Sequence, residues 1–260
     1  MIAKIRILSL AAVAAFILAA GAAKAEIKKE WVDYNHGNQK LKGYLAYDDK
    51  ITGKRPAILM IHDRAGMQPY SLKHAEGWAA LGYVVFAADF FGYATGILPK
   101  DVPEAVTQMG IYTADRALMK ARAQAGYDTL LKNPMVDATK VALVGYCFGG
   151  MVGVDFGSTG APLVANIAIH GSFFGHPAGW AQNAKGKFLI LHGAEDVPFP
   201  LEKVTAEVFN ELRKAKTEFQ MEVYSGAGHG FSVPKNKDEE RANAQSIATT
   251  SRFLKEIFGI

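Results

Sequence analysis

The chain has 260 residues, half of them apolar and 21% charged, with a formal net charge of +4. That length and apolar share suit one globular domain with a sizeable core, and no long low-complexity or single-sign run argues for disorder away from the ends. The basic excess is concentrated in residues 1–25, which carry Lys4, Arg6 and Lys24 and no acid; the rest has a charge of +1, so nucleic-acid binding loses its main support.

The first 25 residues read as a secretory signal. Lys4 and Arg6 make a basic start, Ile7 to Ala20 is uncharged and mainly apolar, and Ala23-Lys24-Ala25 is a small-x-small cleavage pattern. The apolar stretch is short for a bilayer span, which takes about 20 residues. An exported protein, periplasmic or secreted, is expected, with residues 26–260 as a single mature domain and no stable membrane association after cleavage. An uncleaved anchor is the alternative. Cys147 is the one cysteine, so no internal disulfide can form. A lone thiol in an oxidising compartment is either buried and inert or chemically employed.

Beyond the signal, Trp31 to Tyr47 alternates apolar and polar residues around Gly37-Asn38, which predicts an antiparallel hairpin. Strand-length apolar runs follow at Ala57–Ile61, Tyr83–Ala88, Val141–Val144, Val164–Ile169, Phe188–Leu191 and Gln220–Tyr224. Their continuous apolar character is that of strands covered on both faces. Helical spacing appears between them over Ser71–Leu81, Thr113–Leu131, Leu201–Ala215 and Glu239–Phe258. Strand and helix alternate, so the expected fold is α/β, a mostly parallel central sheet flanked by helices on both faces. The stretch Tyr93–Tyr112, with Gly96, Pro99 and Pro103, reads equally as a lid or as an ordinary connection.

The chemistry is concentrated at three strand ends. Gly145-Tyr146-Cys147-Phe148-Gly149-Gly150 runs from a strand through a tight turn into a helix. A nucleophile on such an elbow holds a strained backbone, so its close neighbours must be small, and the helix N-terminus favours a thiolate. A small buried cysteine in a glycine-rich turn is the competing reading. The stretch Leu189 to Pro198 ends a strand in an acidic turn, where Asp196 is the candidate orienting acid and Glu195 its competitor. Gly226-Ala-Gly228-His229-Gly230-Phe231 puts a histidine between glycines on a post-strand loop, where it serves as a base better than as core packing. Nucleophile, acid, histidine is the chain order of α/β-hydrolases. His170 is the rival base. His62, His170 and His192 also end apolar runs, but none has a second ligand at short helical spacing, so no metal or cofactor is expected. Phe90, Phe91, Tyr93, Phe173, Phe174, Trp180 and Phe231 are candidates for an apolar pocket.

With these pieces assembled, the chain resembles the dienelactone hydrolase family from about Pro56 onward, through the Gly-x-Cys-x-Gly-Gly elbow, the His-Gly-x-x-Asp turn and the Gly-x-x-His-Gly-Phe loop. The resemblance implies hydrolysis of a small-molecule ester or lactone through a thioester on Cys147, with His229 as base and Asp196 as acid. It implies an oxyanion hole from the backbone N–H groups of Arg64 and Phe148. It also implies a thiol-contacting carboxylate at Asp63, where the family usually has glutamate. Family members that act on a carboxylated lactone hold its carboxylate with two arginines; here Tyr93 and Ser232-Val233 stand near those places. Preference for that lactone is therefore not expected, because an apolar side chain cannot replace a bidentate guanidinium. Lys235 reads as a solvated loop lysine, with reach to the mouth of the expected site as the alternative. A cysteine-dependent amide hydrolase, and a non-catalytic thiol or binding protein on the same scaffold, are the alternatives. Oligomeric state leaves no mark in the sequence.

Overall fold

A computed structural model describes residues 26–260, so the expected signal at 1–25 lies outside the described residues. The hairpin forms as read, from β1 (Ile27–His36) and β2 (Gln39–Asp48), with the turn at Gly37 and Asn38. Then follow β3 (Arg55–Ile61), α1 (Pro69–Ala79), β4 (Val84–Ala88), α2 (Val102–Ala114), α3 (Arg116–Leu131), β5 (Val136–Tyr146) and α4 (Phe148–Gly157). The chain continues through β6 (Ala165–Ile169), β7 (Lys187–Gly193), α5 (Leu201–Val204), a π-helical turn (Thr205–Phe209), α6 (Asn210–Ala215), β8 (Phe219–Tyr224) and α7 (Lys237–Phe258).

The eight strands make one sheet in the order β1-β2-β4-β3-β5-β6-β7-β8. β2 runs antiparallel to both neighbours, and every pairing from β4 to β8 is parallel. The pleat explains the unbroken apolar runs. Ile58 and Met60 of β3 face a layer built from α1 and α7, with Trp78 and Leu254 among its members. Leu59 and Ile61 face the opposite layer, with Met119 and Ala123 of α3 and Met151 of α4. All four β3 side chains are fully buried, each stabilising the fold by roughly 1.5–3 kcal/mol relative to exposure.

The Tyr93–Tyr112 stretch departs most from a loop reading. A 3-10 turn at Tyr93–Thr95 leads by an extended link into α2, whose first turn is capped by Asp101 accepting from Glu104 N at 2.9 Å. At α7, Asn236 caps Glu239 N at 2.9 Å, and the Glu239 carboxylate accepts from Lys235 N at 2.8 Å. This reciprocal cap fixes the entry to α7 and so the end of the loop that carries His229. Among the described residues no helix is long and apolar enough to cross a membrane.

Candidate active site

β5 delivers Tyr146 to the sheet's C-terminal edge, and the chain turns through Cys147 (φ 52, ψ −112) into α4. Steric crowding explains the glycines. A Cβ on Gly145 would lie 2.0 Å from Gly149 O, and one on Gly149 would lie 2.2 Å from Ile61 O. The turn is fastened by Cys147 N donating to Ile169 O at 3.1 Å and by Cys147 O accepting from Gly150 N and Ser172 N, each at 3.0 Å.

Three loops converge on the sulfur. His229 Nε2 lies 3.0 Å from Cys147 Sγ, and His229 Nδ1 lies 2.8 Å from Asp196 Oδ2. The other Asp196 oxygen accepts from Phe199 N at 3.0 Å. Glu195, the competitor, is exposed, whereas Asp196 is buried. The Phe199 ring sits 5.1 Å from the His229 ring. His170, the rival base, is not hydrogen-bonded to the sulfur; its Nε2 meets Ser232 Oγ at 2.7 Å.

Electrostatics make this chain an ion pair in waiting. Burial acts to raise the Cys147 thiol, but the hydrogen bond and charge of His229, helped by Ser172, outweigh it and leave the thiol below its ordinary value. Burial pulls His229 down, yet its bonds to Asp196 and Cys147 and their charges push it up to about 9. Both shifts favour the pair of thiolate and imidazolium over neutral thiol and imidazole.

The sulfur opens into a cavity of roughly 410 Å³ whose wall includes Asp63, Arg64, Tyr70, His170, His229 and Ser232. Pro99, Lys100, Asp101 and Val102 form another part of the wall, so the start of α2 borders the site. Lys235 lies at this cavity too. Arg64 is at the cavity, and Phe148 is the first residue of α4, where an N–H has no intrahelical carbonyl to bond.

Several expectations need correction. Asp63 does not hydrogen-bond the thiol: Oδ1 accepts from Ala65 N at 2.8 Å and Oδ2 from Tyr70 O–H at 2.7 Å. The shorter aspartate side chain is satisfied by its own loop and by the start of α1. Phe91, Tyr93 and Phe231 do not line the cavity. Phe91 packs on His62 and Phe148, Tyr93 stacks on Trp31 at 4.8 Å, and Phe231 is sealed behind His170 and Tyr224. Phe91 and Phe231 serve the core, and Tyr93 covers Trp31 at the surface. Sequence reading also missed Ser172, whose Oγ lies 3.3 Å from the sulfur, together with Tyr70 and the His170–Ser232 contact. A serine three residues past a strand end carries no local signal of that contact. Among the described residues, no three His, Cys, Asp or Glu side chains gather as a metal ion needs.

The family model described as "Dienelactone hydrolase family" matches residues 41–258. A putative carboxymethylenebutenolidase of Synechocystis is 25% identical over 249 residues, covering 90% of this chain and 97% of that protein. A carboxymethylenebutenolidase homolog of Rattus norvegicus is 24% identical, covering 83% and 86%. Among solved structures, a dienelactone hydrolase-like promiscuous phosphotriesterase from metagenomic libraries superposes with a TM-score of 0.83 at 30% identity, covering 89% of this chain and 99% of that one.

Proposed function

The chain belongs to the dienelactone hydrolase family and is an ester or lactone hydrolase, and on that premise we propose that it works through a covalent thioester on Cys147. The observation that carries the proposal is the unbroken contact from Asp196 through His229 to the sulfur, 2.8 Å and 3.0 Å long. Asp196 orients the imidazole and stabilises its charged form, and the thiolate attacks the acyl carbon. Negative charge moves to the carbonyl oxygen, which the Arg64 and Phe148 amides receive. As the C–O bond breaks, His229 gives its Nε2 proton to the departing oxygen. Neutral His229 then takes a proton from water, whose oxygen attacks the thioester. The tetrahedral intermediate collapses with loss of the thiolate, the carboxylic acid leaves, and the thiolate of Cys147 and the protonated His229 are restored.

Asp63, held by Ala65 and Tyr70, contributes negative charge near the sulfur and no direct bond. The positions where paired arginines would hold a substrate carboxylate are occupied by Tyr93, turned toward Trp31, and by Ser232-Val233. The preferred substrate therefore needs no carboxylate. A phosphate triester is a second substrate class, favoured by this missing arginine pair and by the structural relative named as a promiscuous phosphotriesterase. Export remains part of the proposal and rests on the basic start, apolar stretch and Ala23-Lys24-Ala25 of the leader.

Replacing Cys147 with alanine should abolish turnover of a short-chain aryl ester. Rapid quenching of the native enzyme should trap an acyl group on the peptide that contains Cys147. Activity within a few-fold of the native enzyme in Cys147→Ala would refute the scheme.

A further inference from the structure

We infer that His170 is a positioning residue, which sets His229 over the sulfur by gripping Ser232, three places further along the same loop. His170 lies in the left-handed region, with φ of 42, a conformation that non-glycine residues hold only when their surroundings enforce it. Its backbone is pinned by His170 N donating to Leu191 O at 2.8 Å. The ring is buried, with Nε2 2.7 Å from Ser232 Oγ, and it stands edge-on to His229 at 5.3 Å and to Phe231 at 5.2 Å. Ser232 is held at its other polar atom as well, since His74 Nε2 lies 3.3 Å from Ser232 O. His74 in turn stacks on Tyr146 at 4.4 Å, and Trp78 Nε1 donates to the Tyr146 hydroxyl oxygen at 3.0 Å. Two imidazoles from two separate elements thus fasten the serine that follows His229-Gly230-Phe231.

The glycines that flank His229 leave this loop little stiffness of its own, so the grip supplies what the local backbone does not. The ionisable groups about the His170 ring are His229, His74, His192 and the Tyr146 phenol. Burial, and then the charge of His229, hold His170 well below the ordinary histidine value. A neutral ring does not oppose the imidazolium of His229. A charged one would.

The inference rests on the proposed role of His229, and a double-mutant cycle tests it. Ser232→Ala deletes one oxygen. His170→Asn keeps a residue that tolerates the left-handed backbone but is too short to span the gap. Each single change should lower kcat for an aryl ester at least tenfold, and the double variant should be no worse than the poorer single. Ser232→Thr, which keeps the hydroxyl, should restore most of the rate. The pH inflection of Cys147 alkylation should rise in Ser232→Ala, because a displaced imidazole stabilises the thiolate less. Losses that multiply in the double variant, or an unchanged inflection in folded Ser232→Ala, would overturn the inference; Ser232→Ala decides alone if His170→Asn fails to fold. The alkylation readout needs no turnover, so it separates failure of the grip from failure of the thioester scheme.

Discussion

Cys147 and His170 stand side by side at the C-terminal ends of β5 and β6, and both hold backbones with positive φ, 52 and 42. Their neighbours Tyr146 and Ile169 are register partners, and Cys147 N bonds Ile169 O. Strain on adjacent strands therefore aims two side chains into one cavity, the thiol toward His229 and the imidazole toward Ser232. Residues in such conformations concentrate at functional sites because surrounding structure must hold them there.

The ion pair predicts an unusual pH profile. His229 is raised to about 9 and Cys147 lies below the ordinary thiol value, so thiolate and imidazolium coexist between those limits. Ester turnover should fall on the alkaline side near pH 9, where the proton destined for the leaving group is lost. Iodoacetamide should modify Cys147 at neutral pH faster than it modifies a free cysteine. The signs also bear on stability. The contribution of His229 is complete below its unfolded value near 6.5 and disappears as pH rises through about 9. That of Cys147 is complete above its unfolded value and disappears as pH falls through the lowered one. A thiol that titrates at or above the ordinary value would contradict the assignment.

Asp196 and Glu195 should separate cleanly. Asp196→Asn preserves shape but removes the charge that orients and stabilises the imidazolium, and should cost about 10³–10⁴ in kcat. Glu195 points into solvent, so Glu195→Gln should leave kcat within a factor of about two, as surface changes away from a site usually do. Steady-state kinetics on the two variants would decide, and equal losses would contradict the assignment.

Asp63→Asn should move the alkylation inflection of Cys147 downward, because it removes a negative charge that disfavours the thiolate. The asparagine oxygen still accepts from Ala65 N, and its amide nitrogen can donate to the Tyr70 hydroxyl, which rotates to accept. An unchanged or raised inflection would contradict this placement of the Asp63 charge.

Gly149→Ala should destabilise the fold by about 3 kcal/mol, at the upper end of ordinary overpacking. Its Cβ would meet the Ile61 carbonyl oxygen at 2.2 Å, and neither backbone can retreat without breaking the elbow. Urea denaturation followed by circular dichroism measures this. A loss below about 0.5 kcal/mol, typical of surface changes, would show that the elbow relaxes.

The layered fold, the hairpin at Gly37-Asn38 and the glycine elbow were legible because each depends on neighbours close in the chain. A run such as Ile58-Leu59-Met60-Ile61 declares a strand buried on both faces, and the glycines around Cys147 declare a crowded turn. α2 was only half legible, since Pro99 and Pro103 near its start read as loop until Asp101 was seen to cap it.

By itself, the order of residues determined most of the elements that form, the candidate nucleophile on its elbow, and that a candidate acid and histidine follow it. Only the tertiary structure decided which carboxylate meets His229, that Asp63 turns to Tyr70, and that Ser172 and His170 join the site. Those outcomes depend on side-chain direction and on contacts spanning dozens of residues, such as the 62 between His170 and Ser232. Periodicity carries no trace of them, because a strand or helix pattern specifies a face and not the atom it will touch.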